Sequence, residues 1–151
     1  WLWISWRNFI EVKITIILVT GVFDLLHSEH VAFLQNAKDL GGRLFVGIES
    51  DLRVRKLKGE GRPVQSALER KKALIALKFV DEIFILPNQF ETESDHLHLL
   101  KLVKPDILAV SSHTPHLDVK RRLMKRVGGK VVVVRNHNPS ISTTKILQKN
   151  Q

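Results

Sequence analysis

Apolar and polar positions alternate along the chain between two kinds of signal. Ile14 to Val19, Arg43 to Ile48, Asp81 to Leu86, Asp106 to Val110 and Lys130 to Arg135 are short runs rich in β-branched and aliphatic residues. Bounded by polar or small residues, each predicts a strand. Their near-continuous apolar character suits a parallel sheet covered on both faces. Between them the apolar spacing changes to three and four. Phe33, Ala37 and Leu40 form one helical row, with Val31, Leu34 and Lys38 on another, and Gly41-Gly42 ends the helix. Ser28 is the N-cap this pattern suggests. Glu49-Ser50-Asp51 caps a short basic helix or loop, and Ser66-Ala67-Leu68-Glu69 is a capping box opening a helix to about Phe79. A further helix spans Glu91 to Lys104, capped by Thr92 or Ser94 and stopped by Pro105. Leu117 to Val127 forms a basic helix ended by Gly128-Gly129, and Ser142 or Thr143 caps the last one. The alternation predicts a doubly wound, Rossmann-like α/β fold: a five-stranded parallel sheet with ligands at the carboxyl ends of its strands.

Composition narrows this picture. A chain of 151 residues, 44% of them hydrophobic, suffices for one core. We expect a single domain at 13–151 behind an N-terminal aromatic extension at 1–12, where all three tryptophans crowd into six residues. That extension reads as non-catalytic, its aromatics packing on the body or on a second subunit. Arg7, Asn8, Glu11 and Lys13 interrupt it well short of the ~20 apolar residues of a membrane span, and no signal-peptide pattern precedes it. No membrane partner is expected. The absence of cysteine removes disulfides and thiolate chemistry and fits a reducing, cytoplasmic compartment. A formal net charge of +9 invites a nucleic-acid reading. The cations, however, are spread through amphipathic segments and fit solvated helix faces, so no nucleic-acid partner is expected.

The candidate chemistry gathers after the first strand. Gly21 allows close backbone approach to a ligand, and His27 and His30, three apart, project from the first turn of a helix. Backbone N–H groups and the helix dipole favour an anion there. The loop after the second strand collects Arg53, Arg55, Lys56, Lys58 and Arg62. Arg70 lies in the first turn of its helix, against the dipole, and calls for an anion such as a phosphate or Glu69. Ser142 and Thr143 make a second candidate anion site. His96 and His98 lie two apart on different helical faces, so no shared metal is expected and no metal ligand is assigned. No G-x-G-x-x-G follows the first strand and no Walker-A lysine is present.

Gly21-Val22-Phe23-Asp24-Leu25-Leu26-His27-Ser28-Glu29-His30 resembles the G-[TV]-F-D-x-x-H-x-G-H signature of the cytidylyltransferase-like nucleotidyltransferases. The stretch from Gly61 to Ile85 is similar to the family's central segment, and Ile141-Ser142-Thr143-Thr144-Lys145-Ile146 to its C-terminal motif. Leu57 to Pro63 (LKGEGRP) is most similar to the heptose-phosphate adenylyltransferases, ISTTKI to the glycerol-3-phosphate cytidylyltransferases. The resemblance implies the HIGH-type nucleotidyltransferase fold and transfer of CMP or AMP from CTP or ATP to a phosphorylated sugar or polyol, with pyrophosphate released. It implies catalytic roles for His27, His30, Lys58 and Arg70. It implies nucleotide binding by Gly21, Val22, Phe23, Lys56, Ser142, Thr143 and Thr144, with Mg²⁺ carried largely by the triphosphate. Asp24 is expected to orient the turn, and a homodimer is expected. The chain departs from the pattern at Glu29, where the motif has glycine, at Ser111-Ser112-His113 and at Lys78. The Glu29 carboxylate is expected to turn outward, toward a loop cation such as Lys56. Two other readings stand beside this one: a non-catalytic nucleotide-binding domain, supported by the departures, and a basic nucleic-acid-binding module, supported by charge alone.

Overall fold

The computed structural model describes residues 12–136 and 140–151. Most of the aromatic extension therefore lies outside the described residues. Strands β1 (Ile16–Gly21), β2 (Arg43–Ile48), β3 (Glu82–Ile85), β4 (Ile107–Ser111) and β5 (Lys130–Arg135) alternate with helices. α1 (Ser28–Lys38) follows β1, and α2 (Asp51–Lys58) and α3 (Ala67–Ile75) follow β2. α4 (Glu93–Val103), α5 (Leu117–Arg126) and α6 (Thr143–Lys149) follow β3, β4 and β5. All pairings are parallel in the order β3-β2-β1-β4-β5, so the winding direction reverses between β1 and β4. This is the five-stranded doubly wound sheet that the apolar runs predict.

Both faces of the sheet are buried, which accounts for the unbroken apolar runs. Ile17, Val19, Leu44 and Val46 meet Leu34 and Ala37 of α1 and Leu74 of α3 on one face. Leu18, Leu108 and Val110 meet Leu100 of α4 and Leu123 and Met124 of α5 on the other. The arginines and lysines of α5 at 121, 122, 125 and 126 face solvent.

Two strands begin one residue later than their apolar runs, for a common reason. Asp81 accepts the Leu44 backbone N–H at 2.7 Å and Asp106 accepts that of Ile16 at 2.9 Å. Each carboxylate thus caps the start of the neighbouring strand instead of joining its own. Hydrogen bonds from Lys13 and Ile16 hold the Asp106 pKa below the usual carboxylate range. α3 also ends early, at Ile75 instead of Phe79. Lys78 takes a left-handed φ of 65°, breaking the helix, while Phe79 and Val80 pack on the core.

Gly129 shows why a glycine pair follows α5. A Cβ there would lie 2.7 Å from the Pro105 carbonyl oxygen and 2.9 Å from that of Asp106. Gly129→Ala should therefore lower stability by ~1–3 kcal/mol, the usual cost of overpacking, as measured by urea unfolding.

Candidate active site

β1 and β4 are registered to each other only at Ile17↔Ile107 and Leu18↔Leu108. Where the two strands part, Thr20 to Asp24 on one side and Leu108 to Ser111 on the other line a cleft of about 330 Å³. It occupies the switch point, the position at which doubly wound sheets bind ligands.

The β1–α1 loop is held in an unusual conformation. Phe23 and Leu25 have φ of 53° and 49°, in the left-handed region that side chains disfavour. Five residues from elsewhere in the chain fix it. The Asp24 carboxylate accepts from the Val64 and Gln65 N–H groups at 2.8 and 3.0 Å and from Arg62 Nε at 3.1 Å. The Gln65 side chain accepts from Leu25 N–H, the Thr143 hydroxyl donates to the Asp24 carbonyl, and Arg70 Nη1 donates to the Val22 carbonyl at 2.8 Å. Gly21 is required here by the Phe23 ring, which a Cβ would meet at 2.8 Å.

The loop delivers two imidazoles. His27, not Ser28, is the N-cap of α1: its Nδ1 accepts from His30 N–H at 3.4 Å, and His30 Nδ1 accepts from His27 N–H at 3.3 Å. Both Nδ1 atoms being acceptors, each ring carries its proton on Nε2. The rings stack 3.7 Å apart at 14°, and His30 also meets the edge of Phe23. Burial, then the neighbouring His27, pushes the His30 pKa down to about 4, while Asp24 works the other way. Burial lowers that of His27 too, with Glu29 opposing. Near neutral pH the pair is uncharged and offers two Nε2–H donors to the cleft both residues line.

Other predicted residues divide between the cleft and its surroundings. Gly21, Val22, Phe23, Lys58, Ser142, Thr143 and Thr144 line it. Thr143 is buried with its hydroxyl committed to Asp24, so it clamps the loop. Ser142 accepts from Lys145 N–H as the α6 cap, and Thr144 accepts from Arg62. Arg70 and Lys56 lie elsewhere. Arg70 is fully buried behind the loop, its guanidinium bound to Asp51 at 2.7 Å and to the Gln65 and Val22 carbonyls. Asp51, rather than a phosphate or Glu69, is its compensating anion. Lys56 pairs with Glu91 at 2.6 Å and lines a second, adjoining cavity of about 880 Å³. Glu29 lines the first cleft, where it binds Arg135 with both carboxylate oxygens at 2.8 Å, so its partner is not Lys56.

Arg62, one of the loop cations, also lines the cleft, as do Lys120 and Arg135, which sequence reasoning passed over. Arg135 ends a strand on the ligand side of the sheet, a position that carries a readable signal. Lys120 is hidden in sequence among the exposed cations of α5.

The His30 shift fixes the sign of a pH effect. Its folded pKa lies below the ordinary value of 6.5, so the unfolded chain binds the proton first as pH falls. Stability should be level above pH ~6.5 and decline from there toward pH ~4, the window set by that shift. His30→Gln should flatten this decline in urea titrations.

Comparison with known proteins places this sequence and fold among others. The sequence profile of the cytidylyltransferase-like family matches residues 18–149. The chain is 42% identical over 135 residues to the bifunctional protein HldE of Pelobacter propionicus, covering 89% of this chain and 26% of that protein. It is 35% identical over 150 residues to the protein of the same name from Syntrophotalea carbinolica, covering 96% and 29%. It thus spans less than a third of the length of these relatives. Among solved structures, the lipopolysaccharide core biosynthesis protein of Thermoplasma volcanium superposes with a TM-score of 0.64 at 27% identity, covering 82% of this chain and 96% of that one. Pantothenate synthetase from Thermus thermophilus matches with a TM-score of 0.64 at 17% identity over 87% of this chain and 61% of its own, a likeness of fold alone. By sequence and fold, this chain belongs to the cytidylyltransferase-like family of nucleotidyltransferase enzymes.

Proposed function

We propose that this domain transfers a nucleoside monophosphate from a nucleoside triphosphate to a phosphorylated sugar, with ATP as donor and a heptose phosphate as the favoured acceptor. The observation that carries the reading is the pair of neutral imidazoles, capped into α1 and lining the switch-point cleft. The similarity of Leu57 to Pro63 to heptose-phosphate adenylyltransferases and the identity to HldE favour the sugar acceptor and ATP.

In this reading an oxygen of the acceptor phosphate attacks the α-phosphorus in line. A new P–O bond forms as the bond to the β-phosphate oxygen breaks, and pyrophosphate leaves. The acceptor phosphate is largely ionised near neutral pH, its second pKa being ~6, so no side chain need act as base. Catalysis is positioning and stabilisation of the negative charge that builds on the phosphate oxygens. The Nε2–H groups of His27 and His30 donate to those oxygens, and Lys58 at the rim faces the outer phosphates. Mg²⁺ belongs to the substrate. The cleft carboxylates Asp24 and Glu29 are engaged by Arg62 and Arg135, which leaves the ion to triphosphate oxygens and water. When bound it neutralises part of the triphosphate charge.

The test is pyrophosphate release with ATP or CTP across phosphorylated sugars and polyols. Pyrophosphate should appear only when an acceptor is present, and His30→Ala should cut turnover by ~10²-fold or more, the cost of one transition-state donor. Unchanged turnover removes His30 from the mechanism.

One observation favours the non-catalytic reading, namely the carboxylate of Glu29 inside the cleft. Its bidentate pair with Arg135 matches that charge, so the pair presents little repulsion to a triphosphate. Glu29→Gly frees the guanidinium and should tighten nucleotide binding several-fold by calorimetry, while weakening α1 by up to ~1 kcal/mol. A loss of Mg²⁺-dependent affinity would instead make Glu29 a metal ligand.

A further inference from the structure

Two cavities meet at the carboxyl ends of β1 and β4. The 330 Å³ cleft and the 880 Å³ cavity share Thr20, Gly21, Leu108, Thr114 and Lys120 as a common wall. The larger cavity is floored by Leu18, Leu100 and Leu123 and has an ionic rim. The cations of that rim are matched. Arg53 pairs with Glu49 at 3.4 Å and Glu91 at 2.8 Å, and Lys56 pairs with Glu91 at 2.6 Å.

Lys120 is different. It is half-buried, and its ammonium donates to the Thr114 hydroxyl. None of the ion pairs among the described residues includes it. A cation withdrawn from water without an anion is disfavoured, and burial accordingly lowers the Lys120 pKa. An anionic ligand at the common wall would reverse that penalty.

We propose that the larger cavity holds the phosphorylated acceptor, and that Lys120 binds its phosphate at the wall shared with the nucleotide cleft. The proposal rests on the nucleotidyl-transfer reading and deepens it. An in-line attack needs the nucleophile and the departing pyrophosphate on opposite sides of the α-phosphorus, and two cavities joined by one wall supply those two sides. Lys120 lines both cavities, so it can hold the acceptor phosphate against the α-phosphorus while offsetting repulsion between two anions. The carboxylates of Glu49 and Glu91 accept hydrogen bonds from hydroxyls, and the apolar floor suits the carbon face of a ring. The acceptor class is therefore a polyhydroxylated phosphate monoester with its phosphate at Lys120. Attack by that phosphate forms the bond to the α-phosphorus, breaks the bond to the β-phosphate oxygen and leaves the Lys120 proton count unchanged.

The test uses the chain with Lys120→Met and Lys120→Arg, a hexose 1-phosphate and inorganic phosphate as probes, and a non-hydrolysable MgATP analogue. Calorimetry should show the hexose phosphate binding about tenfold or more weakly to K120M, the loss expected of a charge-assisted hydrogen bond, with K120R retaining most of the affinity. Nucleotide affinity should stay within about twofold, and in turnover assays the loss should fall on acceptor KM. Equal hexose phosphate binding by wild type and K120M, or an equal loss of nucleotide affinity, overturns the proposal. The two readings fail separately. Lys120-dependent acceptor binding without pyrophosphate release sinks nucleotidyl transfer and keeps the subsite, whereas pyrophosphate release with an acceptor KM indifferent to K120M sinks the subsite alone.

Discussion

The cleft depends on one buried carboxylate. Asp24 is 1% exposed and holds Val64, Gln65 and Arg62, all about forty positions downstream. Without that tether, the two departures into left-handed backbone at Phe23 and Leu25, on either side of Asp24, would relax, since each costs of order 1–3 kcal/mol unless its surroundings over-determine it. Thr143 and Arg70 close the same loop from the C-terminal helix and from beneath. The strain has a use: it turns the chain sharply enough for α1 to begin within seven residues of the end of β1, with both imidazoles on the cleft.

Arg70 illustrates how such a frame differs from the chemistry it supports. Its guanidinium is fully buried, and three groups of the chain occupy it. Such a buried charge persists because Asp51 and two carbonyls replace its water, and removing it would leave Val22 and Gln65 with unpaired acceptors. Any influence of Arg70 on catalysis therefore passes through the loop. His27 and His30 stand at the other extreme. Their reciprocal capping satisfies backbone donors of α1 and selects the tautomer, so one pair of hydrogen bonds serves both helix start and site geometry.

The sheet was largely legible because a strand buried on both faces leaves an unbroken apolar run, and all five runs became strands. The histidine pair was legible because i, i+3 spacing after a strand has few competing explanations. What could not be read was tertiary pairing. Nothing local ties Glu29 to Arg135, 106 positions away, or distinguishes Lys56, held by Glu91, from Lys58 at the cleft. Ser28 was the better cap by residue preference, yet His27 holds the position because its ring can exchange hydrogen bonds with His30. Lys120 was masked for a related reason: on a helix rich in cations, sequence alone does not tell the lysine turned toward the sheet from those turned to water.

The Glu29–Arg135 pair explains how this chain accommodates a carboxylate where the motif has glycine. A glutamate at the start of α1 is favoured by the helix dipole, but alone it would repel phosphates approaching the same helix end. Its countercharge comes from the last residue of β5. The register between β4 and β5 shifts between Val110 and Ser111, so that Ser111 lies opposite Arg135 rather than Val134. Irregularities of this kind re-aim side chains at the end of a strand. Arg135 then spans from β5 to α1 and binds both carboxylate oxygens, a geometry that a lysine could not reproduce. A local irregularity in the sheet and a single substitution in the motif thus form one unit, which leaves the charge at the histidine end of the cleft balanced.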